Sequence, residues 1–412
     1  MEIQTSTLTN GLPLLLGPMP ETPRMALAVT IDGGVREEPV AGVGKLASRL
    51  LLKGTARRTA EQIARELDER AIDLHEMSRA DCTVLLAVFL NTALPAVLDV
   101  LRDVLLHSTF RDYPRELEKL EGEVRSSQDM PAALANSLLV STLFATHPYG
   151  NSGLRFLETM GQLSEELVRA WYGSELRASR MNVTVVGDFA VDEMRERLAE
   201  TFGDLPSGGA PASTAPPTPV EADRLVTAAR PDAQQAQVYQ GWYAPRLGAA
   251  AQAAMTVMNT IFGGGGLSNR LFVNLRDRQG LAYSVSSQYI PMRDAGEVIV
   301  SIGTSPENIA RARQGFAEQI AIMRETPITP DELHFAKGRL RGAYVLSHET
   351  TSQHCLDIAV NHINGLGPDY SARLLERLEG VTVAEVRDAA CLLQPPTVTA
   401  IVARDDAVAG VA

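Results

Sequence analysis

Pro206-Ser207-Gly208-Gly209-Ala210-Pro211-Ala212-Ser213-Thr214-Ala215-Pro216-Pro217-Thr218-Pro219 decides how the rest of the chain is read. Proline, glycine and small hydroxyl residues at this density cannot bury a core, so residues 206–224 read as an inter-domain linker. Outward from it lie residues 1–205 and 225–412, each long enough to fold around a core of its own.

The two halves repeat one order of elements. In the first, an apolar strand Met25 to Ile31 leads to helical patterns over Val43 to Leu52 and Thr59 to Arg70, then strand Thr83 to Phe89 and helices Leu94 to Leu106 and Pro114 to Ser127. In the second, strand Ala236 to Trp242 leads to helix Ala249 to Ile261, the loop Gly263-Gly264-Gly265-Gly266 and helix Arg270 to Arg278. Strands Ala282 to Tyr289 and Glu297 to Thr304 and helices Pro306 to Arg324 and Thr329 to Leu346 follow. Each half closes on a strand, Asn182 to Val186 and Thr397 to Val402. Ser305-Pro306-Glu307 and Thr329-Pro330-Asp331-Glu332 carry a cap residue, proline at the first helical position and acids in the first turn. Strands joined mainly as hairpins, without strict βαβ alternation, predict an α+β fold: two homologous domains, each a mainly antiparallel sheet with helices over one face.

Composition narrows the function. Hydrophobic residues make up 45% and charged residues 21%, which is globular, and a net charge of −12 with no basic run excludes nucleic acid or an anionic membrane as partner. Only four of the 38 basic residues are lysines: Lys45, Lys53, Lys119 and Lys337. The N-terminus lacks the basic and apolar regions of a secretory signal, and the apolar stretch Val84 to Leu106 is interrupted by Asn91, Pro95, Asp99, Arg102 and Asp103. A soluble, cytoplasmic protein is expected. Cys82, Cys355 and Cys391, far apart and without CxxC spacing, read as buried thiols. His348 and His354, six residues apart, would lie on opposite faces of a continuous helix, and His147 before Pro148 reads as a turn residue. The four-glycine run lacks the Lys-Ser/Thr of a phosphate loop and reads as a helix-ending turn that lets backbone approach closely.

Four motifs occur in order: Gly33-Gly34-Val35-Arg36-Glu37, Lys53-Gly54-Thr55, His147-Pro148-Tyr149-Gly150 and Gly187-Asp188-Phe189. With the run Ser268 to Arg276 and Gly280-Leu281-Ala282-Tyr283, the chain closely resembles the pitrilysin (insulinase) superfamily, which includes insulin-degrading enzyme and mitochondrial processing peptidase. The resemblance implies duplicated α+β domains facing each other across a cavity, and peptide capture by strand addition. It also implies an inverted H-x-x-E-H zinc helix, completed by a distant Glu. Counted back from Lys53-Gly54-Thr55, that motif falls on Lys45-Leu46-Ala47-Ser48-Arg49, so both histidines and the base are replaced, by Lys45, Arg49 and Ser48. Protonated lysine and arginine offer zinc no lone pair. Glu123 falls where the family has its distant ligand, and Glu116, one heptad earlier, where it has a supporting acid. Lys45 and Arg49, one turn apart, are expected to stand in for the metal by ion-pairing with Glu123 and Glu116.

The resemblance further implies that Arg276 and Tyr283 hold a peptide and its developing oxyanion. A bland alternative has Arg276 paired with a surface acid and Tyr283 simply packed. The expected function is that of a non-catalytic subunit, inert alone and without a cofactor. It would pair with a homologous H-x-x-E-H subunit that holds the zinc, and bind unfolded peptide substrates, with a homodimer possible in isolation. A structural or assembly protein of the same fold is the alternative from a different class, and a self-sufficient zinc peptidase with relocated ligands is a third.

Overall fold

The computed structural model describes residues 1–20, 22–208 and 214–410, so linker residues 209–213 lie outside the described residues. The linker's flanks carry no regular structure but are tethered. The Pro206 carbonyl accepts from the Ala178 N–H at 2.8 Å, that of Gly208 from the Ser179 hydroxyl at 2.7 Å, and that of Thr218 from the Tyr243 hydroxyl at 3.2 Å. Arg224, assigned above to the linker, instead opens a strand.

Among the described residues, eleven strands form two sheets. β1 Gln4–Thr7, β2 Pro13–Pro18, β3 Arg24–Asp32, β4 Asp73–Ser78, β5 Cys82–Leu90 and β6 Met181–Gly187 are ordered β1-β2-β6-β3-β5-β4. β7 Arg224–Ala229, β8 Ala236–Ala244, β9 Ala282–Pro291, β10 Gly296–Thr304 and β11 Val398–Ala403 are ordered β7-β11-β8-β10-β9. With β1 set aside, the two orders are one permutation: first strand, last, second, fourth, third. In each sheet the first and last strands, β2–β6 and β7–β11, pair in parallel, and every other pair is antiparallel. The duplication inferred from element order thus extends to strand pairing. Central β3 is apolar on both faces, Met25 to Val29 being fully buried, while edge strand β4 is polar and only part-buried.

The helices repeat as well. Leu94–His107, Tyr113–Asp129, Pro131–Leu143, Gly153–Thr159 and Glu165–Glu175 follow β5; Ile309–Glu325, Pro330–Leu346, Thr351–Ile363, Tyr370–Gly380 and Val383–Ala390 follow β10. The third helix of each series has 13 residues and covers the sheet of the other half. Helix Thr351–Ile363 lies on β3 and β6, where Cys355, Ile358 and Ala359 join Leu15, Ala28 and Val186, and the Asn182 amide donates to the Ala359 carbonyl at 3.0 Å. Helix Pro131–Leu143 lies on β8 and β11, with Leu134 and Ala135 against Val402. It approaches β8 so closely that a Cβ on Gly241 would meet Leu139 at 2.8 Å.

The compact units are therefore not the linear halves. The first comprises Met1–Gly122, Thr159–Thr214 and Val345–Ser371; the second comprises Glu123–Glu158, Ala215–Tyr344 and Ala372–Ala412. The boundaries after Gly122, Tyr344 and Ser371 fall inside helices Tyr113–Asp129, Pro330–Leu346 and Tyr370–Gly380. No helix among the described residues is long and apolar enough to cross a membrane.

Local chemistry explains several helix ends. Thr329 and Glu332 form a reciprocal capping box, Glu332 accepting from the Thr329 N–H at 2.8 Å and Thr329 from the Glu332 N–H at 3.1 Å. Ser305 makes no side-chain cap, and Pro306–Asn308 is a 3-10 turn before the α-helix. Two further expectations fail. His348 and His354 do not diverge but stack edge to face, ring centroids 5.3 Å apart, because a new helix starts at the Thr350–Gln353 capping box between them. Cys82 and Cys355 are buried, but Cys391 is exposed at the end of helix Val383–Ala390.

Candidate functional site

In the second unit the segment between β8 and β9 departs from regular helix twice. Thr260–Gly264 and Phe272–Arg278 are π-helical, a geometry that is rare and concentrated at functional sites. Between them the glycine run permits close approach, since a Cβ on Gly263 would meet Leu271 at 2.5 Å and the Ser287 backbone nitrogen at 2.8 Å. The second π turn is anchored by fully buried Leu275, which packs on Gly315 so tightly that a Cβ there would lie 2.6 Å from it. It ends at Gly280, φ +62°, where the Gly280 and Leu281 N–H groups donate to the Arg276 and Leu275 carbonyls, both at 2.9 Å.

This scaffold brings Arg276 and Tyr283 together. The Arg276 guanidinium lies 4.3 Å from the Phe272 ring centroid and 5.3 Å from that of Tyr283. Its neighbours are committed to polar partners: Arg270 forms a two-pronged pair with Glu332 at 2.7 and 2.9 Å, and Arg278 donates to Asn274 at 3.0 Å. Arg276 has no ion pair or side-chain hydrogen bond among the described residues, so its donors are oriented by two rings and remain free. Tyr283 owes its exposure, 81%, to a β-bulge. The β9–β10 register runs Gly303↔Ser284 and then Thr304↔Ala282, leaving Tyr283 as the extra, unpaired residue on the edge strand. Neither the acid partner nor the packed phenol of the bland alternative occurs here.

In the first unit, helix Val43–Leu51 holds Lys45, Ser48 and Arg49. Its N-terminus is capped by Glu38, whose two carboxylate oxygens accept from the N–H groups of Gly42 at 3.0 Å and Gly44 at 2.9 Å. Ser48 is buried and its hydroxyl donates to the Lys45 carbonyl at 3.0 Å; Lys45 is exposed and Arg49 half-buried. These donors do not fit zinc, because an ammonium and a guanidinium have no lone pair to give. Among the described residues no group of three or more His, Cys, Asp or Glu side chains is gathered as a metal ion would need.

Residues 15–155 match the family described as Insulinase (Peptidase family M16), and residues 162–340 match the Peptidase M16 inactive domain. The chain belongs to peptidase family M16. An uncharacterized zinc protease of Mycobacterium leprae is 28% identical over 390 residues, covering 92% of this chain and 87% of that protein. One from Bacillus subtilis is 25% identical over 354 residues, covering 85% of each. Among solved structures, the peptidase M16 inactive domain from Pseudomonas fluorescens superposes with a TM-score of 0.89 at 21% identity over 98% of both chains. A protease from Helicobacter pylori gives 0.90 at 17% identity, over 98% of this chain and 99% of that one. These two likenesses concern the fold.

Of the acids expected at the vacated metal site in this M16 chain, Glu116 pairs elsewhere. Glu116 is buried, and its partners are Lys119 at 2.8 Å and Lys53 at 3.5 Å rather than Lys45 or Arg49. Burial pushes the Glu116 carboxyl up, but the two ammonium groups outweigh it and hold the carboxyl below its usual range. Glu123, two turns along the same helix, is exposed and belongs to the second unit. Lys45 makes no ion pair among the described residues: its flexible, strongly hydrated ammonium stays in solvent, so it takes no part in the expected cluster. His147 is a turn residue, its Nδ1 accepting from the Tyr149 N–H at 3.1 Å and its Nε2 lying 3.2 Å from Asp294. Sequence reasoning missed Phe272 as the shelf beneath Arg276. The four-residue helical spacing of the two was its only signal.

Proposed function

We propose that this chain is the non-catalytic subunit of a two-chain M16 peptidase, binding an extended peptide and presenting Arg276 and Tyr283 to it at the zinc of a homologous H-x-x-E-H partner. The observation that carries the reading is Arg276 itself, a guanidinium held against two aromatic rings with no acceptor among the described residues, beside a phenol turned outward by a bulge. A peptide carbonyl supplies the acceptor both lack. A guanidinium and a phenol donating to one carbonyl oxygen hold the peptide and stabilise the charge that grows there during attack. The donor set Lys45, Ser48 and Arg49 supports the assignment of metal chemistry to the partner, although relatives of similar length are named zinc proteases.

The test is reconstitution with the cognate H-x-x-E-H chain and an unfolded fluorogenic peptide. The mixture should cleave where this chain alone does not. Arg276→Ala or Tyr283→Phe should lower the rate by about 10²-fold, the usual loss of an oxyanion donor, while co-elution with the partner is unchanged. Full activity in both variants would remove the assigned role.

A further inference from the structure

A cavity of about 570 Å³ in the first unit has no part in the function proposed above. It lies among the loop Lys53–Thr59, the first turn of helix Ala60–Asp68 and the first turns of helix Tyr113–Asp129, and it has the size of a small-molecule site. Cations dominate its wall: Lys53, Arg57, Arg58, Arg111, Arg115 and Lys119 face only Glu61, Asp112 and Glu116. In a chain of net charge −12 with four lysines, two of those lysines stand here.

The cations are not equally free. Arg58 is committed to Glu66, Asp99 and Asp103 outside the cavity wall. Lys53 and Lys119 share the single carboxylate of Glu116. Arg57 reaches Asp99 only at 3.4 Å and in solvent, and Arg111 and Arg115 make no ion pair among the described residues. Leaving out Arg58 and the three acids that hold it, the wall itself carries five cations against three acids, an excess of two.

The wall is also built rather than accidental. Thr55 donates to fully buried Asp103 at 2.8 Å and accepts from the N–H groups of Arg57 and Arg58 at 3.0 and 2.9 Å. Bridges Gly54↔Thr59 and Thr55↔Ser108 close the loop on itself and on its neighbour. Arg57 therefore projects from a fixed base, while Arg115 and Lys119 are four residues apart on helix Tyr113–Asp129 and Arg111 stands in the turn just before it.

We infer that this cavity binds a small anion through a di- or triphosphate group. The guanidinium forks of Arg57, Arg111 and Arg115 match phosphoryl oxygens in pairs, the two lysines supply point charge, and the excess of two charges suits a diphosphate better than a single carboxylate. Inorganic pyrophosphate and a nucleoside diphosphate share this chemistry.

The experiment is calorimetric titration of the full chain, at about 150 mM salt, with pyrophosphate, ADP and adenosine. Pyrophosphate and ADP should each bind at one site per chain, and more weakly as salt rises. ADP binding more tightly than pyrophosphate would place the nucleoside in the cavity; equal affinities would assign recognition to the phosphates alone. The double variant Arg111→Ala/Arg115→Ala should weaken both by about tenfold or more, with an unchanged melting temperature confirming its fold. Arg311→Ala, an exposed arginine of the second unit, should bind as the parent does. Absence of binding by either phosphate at about 10 mM, equal binding of adenosine, or equal loss in Arg311→Ala would overturn the inference.

Discussion

The duplicated plan makes each sheet a control for the other. In the first unit the element before the third strand is an ordinary α-helix, Ala60–Asp68, with a complete capping box, and β4 then pairs with β5 in unbroken register. In the second unit the equivalent element, Phe272–Arg278, is a π turn, and β9 pairs with β10 through a bulge. The charges differ in the same way. Arg58 is held by three carboxylates, whereas Arg276 is held by rings and by none. Irregularity of this kind is kept where it aims a side chain. Its confinement to the segments around Arg276 and Tyr283 separates a unit whose arginine is structural from one whose arginine is offered.

The largest effect expected from breaking the comparison lies on the structural side. Asp103 is fully buried and joins Thr55, Arg58 and His107; burial would raise its pKa, but those partners, Arg58 foremost, hold it below its usual range. Asp103→Ala should cost about 3–5 kcal/mol in urea denaturation, because it leaves buried partners uncompensated. A loss below about 1 kcal/mol would mean that water already screens the network.

Next comes a pair of acids with the opposite pH behaviour. Burial pushes Glu297 up to about 7, and it pushes Glu175 up to about 7 despite the charge of Arg180. A carboxyl whose folded pKa is raised binds its proton more tightly in the folded state. Its contribution is complete below about pH 4.5 and is lost as pH rises through 7. Stability should therefore fall between pH 5 and 8 on account of these two groups. Glu297→Gln should flatten the profile and add up to about 3 kcal/mol at pH 8. A melting temperature with the same pH slope in parent and variant would show that Glu297 does not titrate there.

Much of this comparison was legible in the sequence. The repeated order of elements, the Thr329–Glu332 cap and the run from Ser268 to Tyr283 are local patterns, and local patterns survive folding. The helix exchange is not local. Periodicity shows that Pro131–Leu143 and Thr351–Ile363 must each cover a sheet, but not which one, and the linear halves were the wrong guess. Asp73–Ser78 was missed as a strand because an edge strand can be polar, and His348 was misplaced because a continuous helix was assumed through Thr350. Neither π turns nor the bulge at Tyr283 follow from propensity, since both depend on what packs against them. The partners of Glu116 were misjudged for a related reason. Lys119 lies one turn away on the same helix, whereas Lys45 stands on a separate one and keeps its ammonium in solvent.

A smaller effect is expected at Gly315. A Cβ would press on Leu275, the residue beside Arg276, so Gly315→Ala should cost about 1–3 kcal/mol by overpacking. Because the strain falls on the π turn, cleavage by the reconstituted pair should drop by more than the fraction unfolded accounts for. A drop that tracks unfolding alone would mean that the turn does not transmit it.

The finest test separates orientation from packing at Phe272. This ring is half-buried, packs against the core of the second unit, and lies 4.3 Å from the Arg276 guanidinium. Phe272→Leu keeps the apolar contact with the core but removes the ring face that attracts the cation. At a partly exposed site that attraction is worth about 0.5–1 kcal/mol, so peptide cleavage should fall by about 2- to 5-fold. Tyr283 remains as a second ring, 5.3 Å from the guanidinium, which is why the loss should be partial. Phe272→Trp, retaining a ring, should restore most of the rate, and both variants should melt close to the parent. If Phe272→Leu cleaves at the parental rate, the ring is only core, and Arg276 is positioned by the π turn and Tyr283 alone. If leucine and tryptophan lose equally, shape rather than the ring's charge distribution sets the arginine.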